Sequence, residues 1–141
     1  MTASYNPWRD ARDRYPDYLI NFKRELPPGM RGCIKGKTIY VCRTLTQEAR
    51  RFTLVHEVCH LDTGILHTGD PRVELMIDRM AARRLITPDE FVDALAWSRR
   101  SNHECADELG VDGYALKVWV QSLNKDERRY ITSRLRRRGE P

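Results

Sequence analysis

Apolar residues recur along this chain with two different periods, and the change of period marks out its elements. Near the start, Asn6-Pro7-Trp8 suits a helix N-terminus, with Asn6 as the cap and Pro7 pre-set for the first turn. Tyr18, Leu19, Ile20 and Phe22 suit a short strand, and Pro27-Pro28-Gly29 ends whatever precedes it. Residues 30–42 read as a hairpin: Met30–Ile34 and Thr38–Cys42 are β-leaning runs joined by Lys35-Gly36-Lys37. The period then becomes helical. Leu45, Ala49, Phe52, Val55 and Cys59 share one face, and the run from Gln47 to Asp62 contains neither Gly nor Pro. Thr46, or Thr44 with Gln47 three residues on, can cap this helix, and Gly64 stops it.

A second helix is expected over about Pro71–Leu85, with Asp70 at its cap and Pro71 in its first turn. Thr87-Pro88 breaks it and starts a shorter helix through Phe91, Leu95 and Trp97. Apolar positions from Ala106 to Leu123 imply two short helices around Gly110, then a last helix from about Lys125 into a basic tail. The expected fold is α+β: a small sheet including residues 30–42 packs on the helix that starts near Thr46, and a helical part follows. We read one domain over residues 1–141, with a core at 30–86, a helical part at 87–132 and a basic tail at 133–141.

Composition narrows the class. With 141 residues, 40% apolar and 32% charged, the chain can bury one core. No apolar stretch approaches the roughly 18 residues of a membrane span. Met1–Asp10 lacks the pattern of a secretory signal, so the expectation is a cytoplasmic protein without a membrane partner. Four cysteines, Cys33, Cys42, Cys59 and Cys105, form no CxxC pair. That disfavours a cysteine-based structural zinc site and points to reduced, buried thiols. The net charge is +5, and much of the excess lies in Arg134, Arg136, Arg137 and Arg138. Such a tail can touch nucleic acid or an acidic partner. No aromatic residue interleaves with those arginines, which favours a solvated, frayed end.

The chemistry is concentrated in His56-Glu57-Val58-Cys59-His60, an HExxH pattern in the middle of the strongest helix. Residues four apart on a helix lie one turn above each other, so both imidazoles can share one zinc ion. Glu57 sits beside the first ligand, where it can take a proton from a water that zinc makes acidic. A third protein ligand is then needed. Glu74, early on the next helix, is the candidate, and Asp78 lies on the same face, able to orient a histidine. On spacing alone, Glu74 reads equally well as an acid placed to suit a helix N-terminus. Asp62 and Asp70 are weaker candidates. His67 follows Gly64, each one place later than the metzincin pattern requires, which leaves His67 as an alternative ligand or a substrate contact. His103 belongs to a helix start or the surface.

Arg51-Phe52-Thr53-Leu54-Val55-His56-Glu57-Val58-Cys59-His60-Leu61 resembles the ImmA/IrrE metallopeptidases, which show RFTLAHELGH at this point. The upstream strand Thr38–Val41 and the segment Leu45–Arg50 are also similar. Downstream, Glu74 and Asp78 fall on the glutamate and asparagine of the family's ExxANxFAxxLLMP. The resemblance covers roughly residues 30–123. It implies a zincin-like fold, with zinc held by His56, His60 and Glu74. It also implies an intracellular endopeptidase that cleaves a helix-turn-helix repressor to control a prophage, a mobile element or a stress response. Cys59 stands where the family has glycine, which would bring a thiol toward the metal, and Asp78 replaces asparagine.

Two other readings stand beside this one. Residues 105–120 have helix-turn-helix spacing, so the chain could be a non-enzymatic DNA- or protein-binding module, with Lys117 and Gln121 as the base readers and Trp119 between them. Alternatively the zinc site could serve as a sensor without proteolysis. For the peptidase, a substrate strand is expected to add to the sheet edge beside the metal, along Thr38–Cys42. The sequence leaves the oligomeric state open.

Overall fold

The computed structural model describes residues 5–65, 67, 69–98 and 101–139, so Glu140 and Pro141 of the expected tail lie outside the described residues. The fold is α+β: seven helices and a small three-stranded sheet among the described residues. The chain divides into two compact units, Met1–Ala81 and Ala82–Pro141. The division falls inside a helix, a few residues before the end of the core expected at 30–86.

The first unit opens with α1 (Pro7–Arg14), capped by Asn6, whose side chain accepts from the Arg9 amide. Strands β1 (Leu19–Asn21), β2 (Gly32–Lys35) and β3 (Thr38–Val41) form a sheet in the order β1-β3-β2. β1 runs parallel to β3, and β2 antiparallel to it, with Gly32 opposite Val41 and Lys35 opposite Thr38. β3 is therefore the central strand, and β2 is an edge.

Helix α2 (Gln47–Thr63) carries the HExxH pattern. Thr46, not Thr44, is its cap, accepting from the Ala49 amide. Gly64 ends it with φ 70°, a left-handed conformation that costs glycine little. The expected apolar face is buried: Ala49, Phe52, Val55 and Cys59 are at most 8% exposed. A one-faced helix was too narrow an expectation, however. Every residue from Phe52 to His60 is buried. Leu54 and Val58 pack with Ile39, Val41 and Ala11 in the core over the sheet, and His56 and His60 point from the other side. The cause is tertiary: strands and loops cover the helix on more sides than its own pattern of apolar residues shows.

One close approach fixes where β2 lies against α2. A Cβ on Gly32 would meet Thr53 Cγ2 at 2.6 Å and the Tyr40 carbonyl oxygen at 2.8 Å. Only glycine lets this strand come so near the helix, and the Glu57 Cγ lies just beyond, at 3.5 Å. Helix α3 (Pro71–Leu85) begins at Asp70, whose Oδ1 accepts from the Arg72 amide.

The second unit continues with α4 (Pro88–Ser98), α5 (Asn102–Leu109), α6 (Gly113–Gln121) and α7 (Lys125–Arg137). Thr87 and Glu90 exchange side-chain and backbone hydrogen bonds and start α4. Trp119, fully buried, donates from its indole nitrogen to the Ile86 carbonyl at 2.8 Å and packs on Phe91. The helical pair expected around Gly110 is present, but Trp119 belongs to this core and cannot stand among base-reading side chains. The basic end also differs from a frayed tail: α7 runs to Arg137, started by an Asn124–Glu127 capping box and anchored by buried Ile131. No helix among the described residues is long and apolar enough to cross a membrane.

Candidate metal centre

Helical periodicity puts the rings of His56 and His60 side by side, with centroids 4.8 Å apart and Nε2 atoms 3.1 Å apart. Each ring is oriented through its other nitrogen. His60 Nδ1 lies 2.6 Å from the Ile65 carbonyl oxygen, just past the end of α2. A carbonyl only accepts, so this nitrogen carries the proton. His56 Nδ1 lies 2.7 Å from Asp78 Oδ1, and Asp78 is only 4% exposed. The Asp78 carboxylate selects the same tautomer. Arg31, 3.6 Å from Asp78, is the compensating cation and also lies over the Phe52 ring.

Both Nε2 atoms therefore face each other with lone pairs, and α3 brings a carboxylate to the same point. Glu74 Oε2 is 3.2 Å from His60 Nε2, and Oε1 is 3.5 Å from His56 Nε2. Oε2 is buried and has no hydrogen-bond partner. Three acceptors thus converge with no proton shared among them, an arrangement that is repulsive by itself and suits a cation. His56, His60, His67 and Glu74 offer ligand atoms within 4.8 Å of one another and can hold a metal ion.

His67 takes a different part in this group. Its Nε2 is 2.6 Å from Glu57 Oε1, and its Nδ1 is 2.7 Å from Glu74 Oε1. With a carboxylate on each nitrogen, the ring is an imidazolium. The hydrogen bond to Glu57, chiefly, pushes its pKa up to about 9 against the opposing effect of burial. Its nitrogens are also among the ligand atoms that can meet at one metal ion, a place either would take on losing its proton. Glu57 is fully buried, and His67 balances its charge.

Sequence-predicted residues outside this group have other tasks. Asp62 accepts from Arg14 at 2.7 Å and from the Tyr15 hydroxyl, tying α2 to α1, and Asp70 caps α3. His103 is exposed and faces Asp107. Cys59 is buried and is not among the residues that can hold a metal. Among the described residues no disulfide joins any of the four cysteines. The site's open side is a cleft of about 600 Å³, lined by Pro27–Ile34 of the loop and β2 together with His56, Glu57, His67 and Glu74. Sequence reasoning missed Arg31, Gly32 and Cys33 as cleft residues. The thiol of Cys33 is pushed up first by burial and then by Glu57. The only signal for them was hairpin register, which brings whichever strand forms the edge against the helix.

Comparison of the chain with protein-family models, with curated proteins and with solved structures finds no match.

Proposed function

We propose that this chain is a zinc metallo-endopeptidase with a zincin-like site, in which His56, His60 and Glu74 hold the metal and Glu57 is the general base. The observation that carries the reading is the meeting of two Nε2 lone pairs with an unpartnered Glu74 oxygen, beside a fully buried Glu57. Two imidazoles, one carboxylate and an open side suit zinc. Bound there, zinc would polarise a peptide carbonyl and lower the pKa of a water toward roughly 7. Asp78 holds the His56 ring in the tautomer that ligation needs, and the Ile65 carbonyl does the same for His60. Glu57 accepts the proton of the attacking water and returns it to the leaving amine nitrogen as the C–N bond breaks. His67 lines the cleft and holds the Glu57 and Glu74 carboxylates in place through its two nitrogens.

The substrate strand would add to β2. The sequence-based expectation placed it along Thr38–Cys42, but β3 is central and its neighbours occupy both sides. The free edge that lines the cleft is β2. The ImmA/IrrE resemblance supplies the biological reading: a cytoplasmic enzyme whose protein substrate is a helix-turn-helix repressor, cleaved to release a prophage, mobile-element or stress programme.

The deciding experiment is metal content by mass spectrometry, on the wild type beside Glu74→Ala and His67→Ala. Near-stoichiometric zinc, lost with Glu74→Ala and kept with His67→Ala, is the expected result. Loss only with His67→Ala would replace Glu74 by His67 as third ligand. No zinc in the wild type after zinc is restored would refute the peptidase reading.

A further inference from the structure

Helix α7 has two chemically opposite sides. On one, Ile131 is buried, Arg134 and the Tyr130 hydroxyl bond to Asp89, Arg138 pairs with Asp93, and Glu127 pairs with Arg83. These contacts fix the helix to its own unit. The other side carries Arg128, Arg129, Thr132, Ser133, Arg136 and Arg137, all exposed and together lining one shallow surface depression. At 100° per residue these six positions span one half of the helix circumference.

The arginines of this outer side have few acidic neighbours. Arg129 lies 3.9 Å from exposed Asp126. Arg128 donates to the Val120 carbonyl, and Arg137 to the Ser133 hydroxyl. Among the described residues no carboxylate pairs with Arg128, Arg136 or Arg137. The fold has thus neutralised the inward arginines and left the outward ones charged.

We infer that this face of α7 binds the phosphate backbone of double-stranded nucleic acid, without reading sequence. The two arginine pairs sit about 12 Å apart along the helix axis, separated by two hydroxyls. Guanidinium and hydroxyl groups are the side chains that contact phosphates. The face has no apolar or aromatic residue at its centre, as a protein interface would. It offers no apolar side to insert between lipids. None of its six residues carries a ring on which unpaired bases could stack, and neighbouring Tyr130 is tied through its hydroxyl to Asp89, which disfavours single strands. A rigid row of positive charge matches a uniform polyanion. The inference differs from the helix-turn-helix reading, since α6 and its base readers take no part, and it is independent of the metal site.

The test is anisotropy of a labelled duplex DNA of arbitrary sequence, titrated with the full chain between about 50 and 200 mM salt. Four phosphate contacts predict a log–log salt slope near −3 to −4, hence a loss of roughly 10²-fold over that range. Arg136→Gln with Arg137→Gln is expected to weaken binding at least about tenfold and flatten the slope by about 2. Lys23→Gln with Lys35→Gln, an equal loss of charge at exposed positions of the first unit, is expected to leave the slope unchanged. Circular dichroism of each variant confirms that the fold is kept. Equal losses in both double variants would reduce the effect to net charge and overturn the assignment. So would absence of duplex binding at low salt, or stronger binding to phosphatidylserine–phosphatidylcholine vesicles or to polyglutamate than to the duplex.

Discussion

The two units of this chain treat charge in opposite ways. Among the described residues, 1–81 bury His56, Glu57, His60 and Asp78, with Thr53, while in 82–141 the polar residue buried to that degree is Ser98. The second unit carries nearly as many charges and holds them at the surface, some in pairs, Arg83–Glu127, Arg134–Asp89 and Arg138–Asp93, and some, such as Arg136 and Arg137, with no carboxylate partner among the described residues. Removing a charge from water costs several kcal/mol, whereas an exposed pair gains about 0–1 kcal/mol and costs little if lost. A fold that accepts the larger cost around two imidazoles does so where those groups act together. The second unit draws its stability from Trp119, Val92, Val111, Leu116 and Val118, all nearly or fully buried.

The largest expected effect tests whether the buried charges are functional. Glu57→Gln keeps the shape and the His67 contact but cannot take a proton. Peptide cleavage is expected to fall by about 10²–10⁴-fold with zinc content unchanged. Cleavage at the wild-type rate would make Glu57 a structural residue and erase the contrast.

Trp119→Ala probes the other side of the comparison. It removes the largest buried side chain of the second unit and leaves the Ile86 carbonyl unpaired. A loss of about 3–5 kcal/mol is expected in urea unfolding. A loss under about 1 kcal/mol would show that this core collapses around the hole.

Asp78→Asn is expected to weaken zinc binding about 10–100-fold, read by competition with a chromophoric chelator, because His56 loses its anionic partner. Unchanged affinity would mean that Asp78 serves Arg31 rather than His56.

The smallest effect belongs to the surface pairs. Arg83 donates to Glu127 at 3.0 Å and holds its carboxyl below the ordinary range, against a small opposing effect of burial. A depressed carboxyl stabilises the fold above its unfolded pKa near 4.5 and loses that contribution as pH falls through the folded value. Arg83→Ala is expected to raise the Glu127 value toward normal in an NMR titration and to cost under about 1 kcal/mol. A larger cost would place this pair with the buried charges instead.

What the sequence determined by itself is local. Asn6, Thr46 and Asp70 begin helices because a short polar side chain can satisfy a free amide, and Gly64 ends one because it alone turns left-handed at little cost. His56 and His60 converge because 3.6 residues make a turn, whatever surrounds them. The spacing of Glu74 and Asp78 put both on one face of α3, and both turn toward the histidines. Other features needed chain segments far apart in sequence to meet. Only the packed fold decided that α2 is buried all round from Phe52 to His60, that β2 rather than β3 is the edge beside the cleft, and that Arg31 balances Asp78. Only it placed His67 between Glu57 and Glu74, 2.6 and 2.7 Å from their carboxylates. Tautomers, charge partners and exposed edges depend on which groups lie within about 3 Å, and no periodicity along the chain encodes that distance.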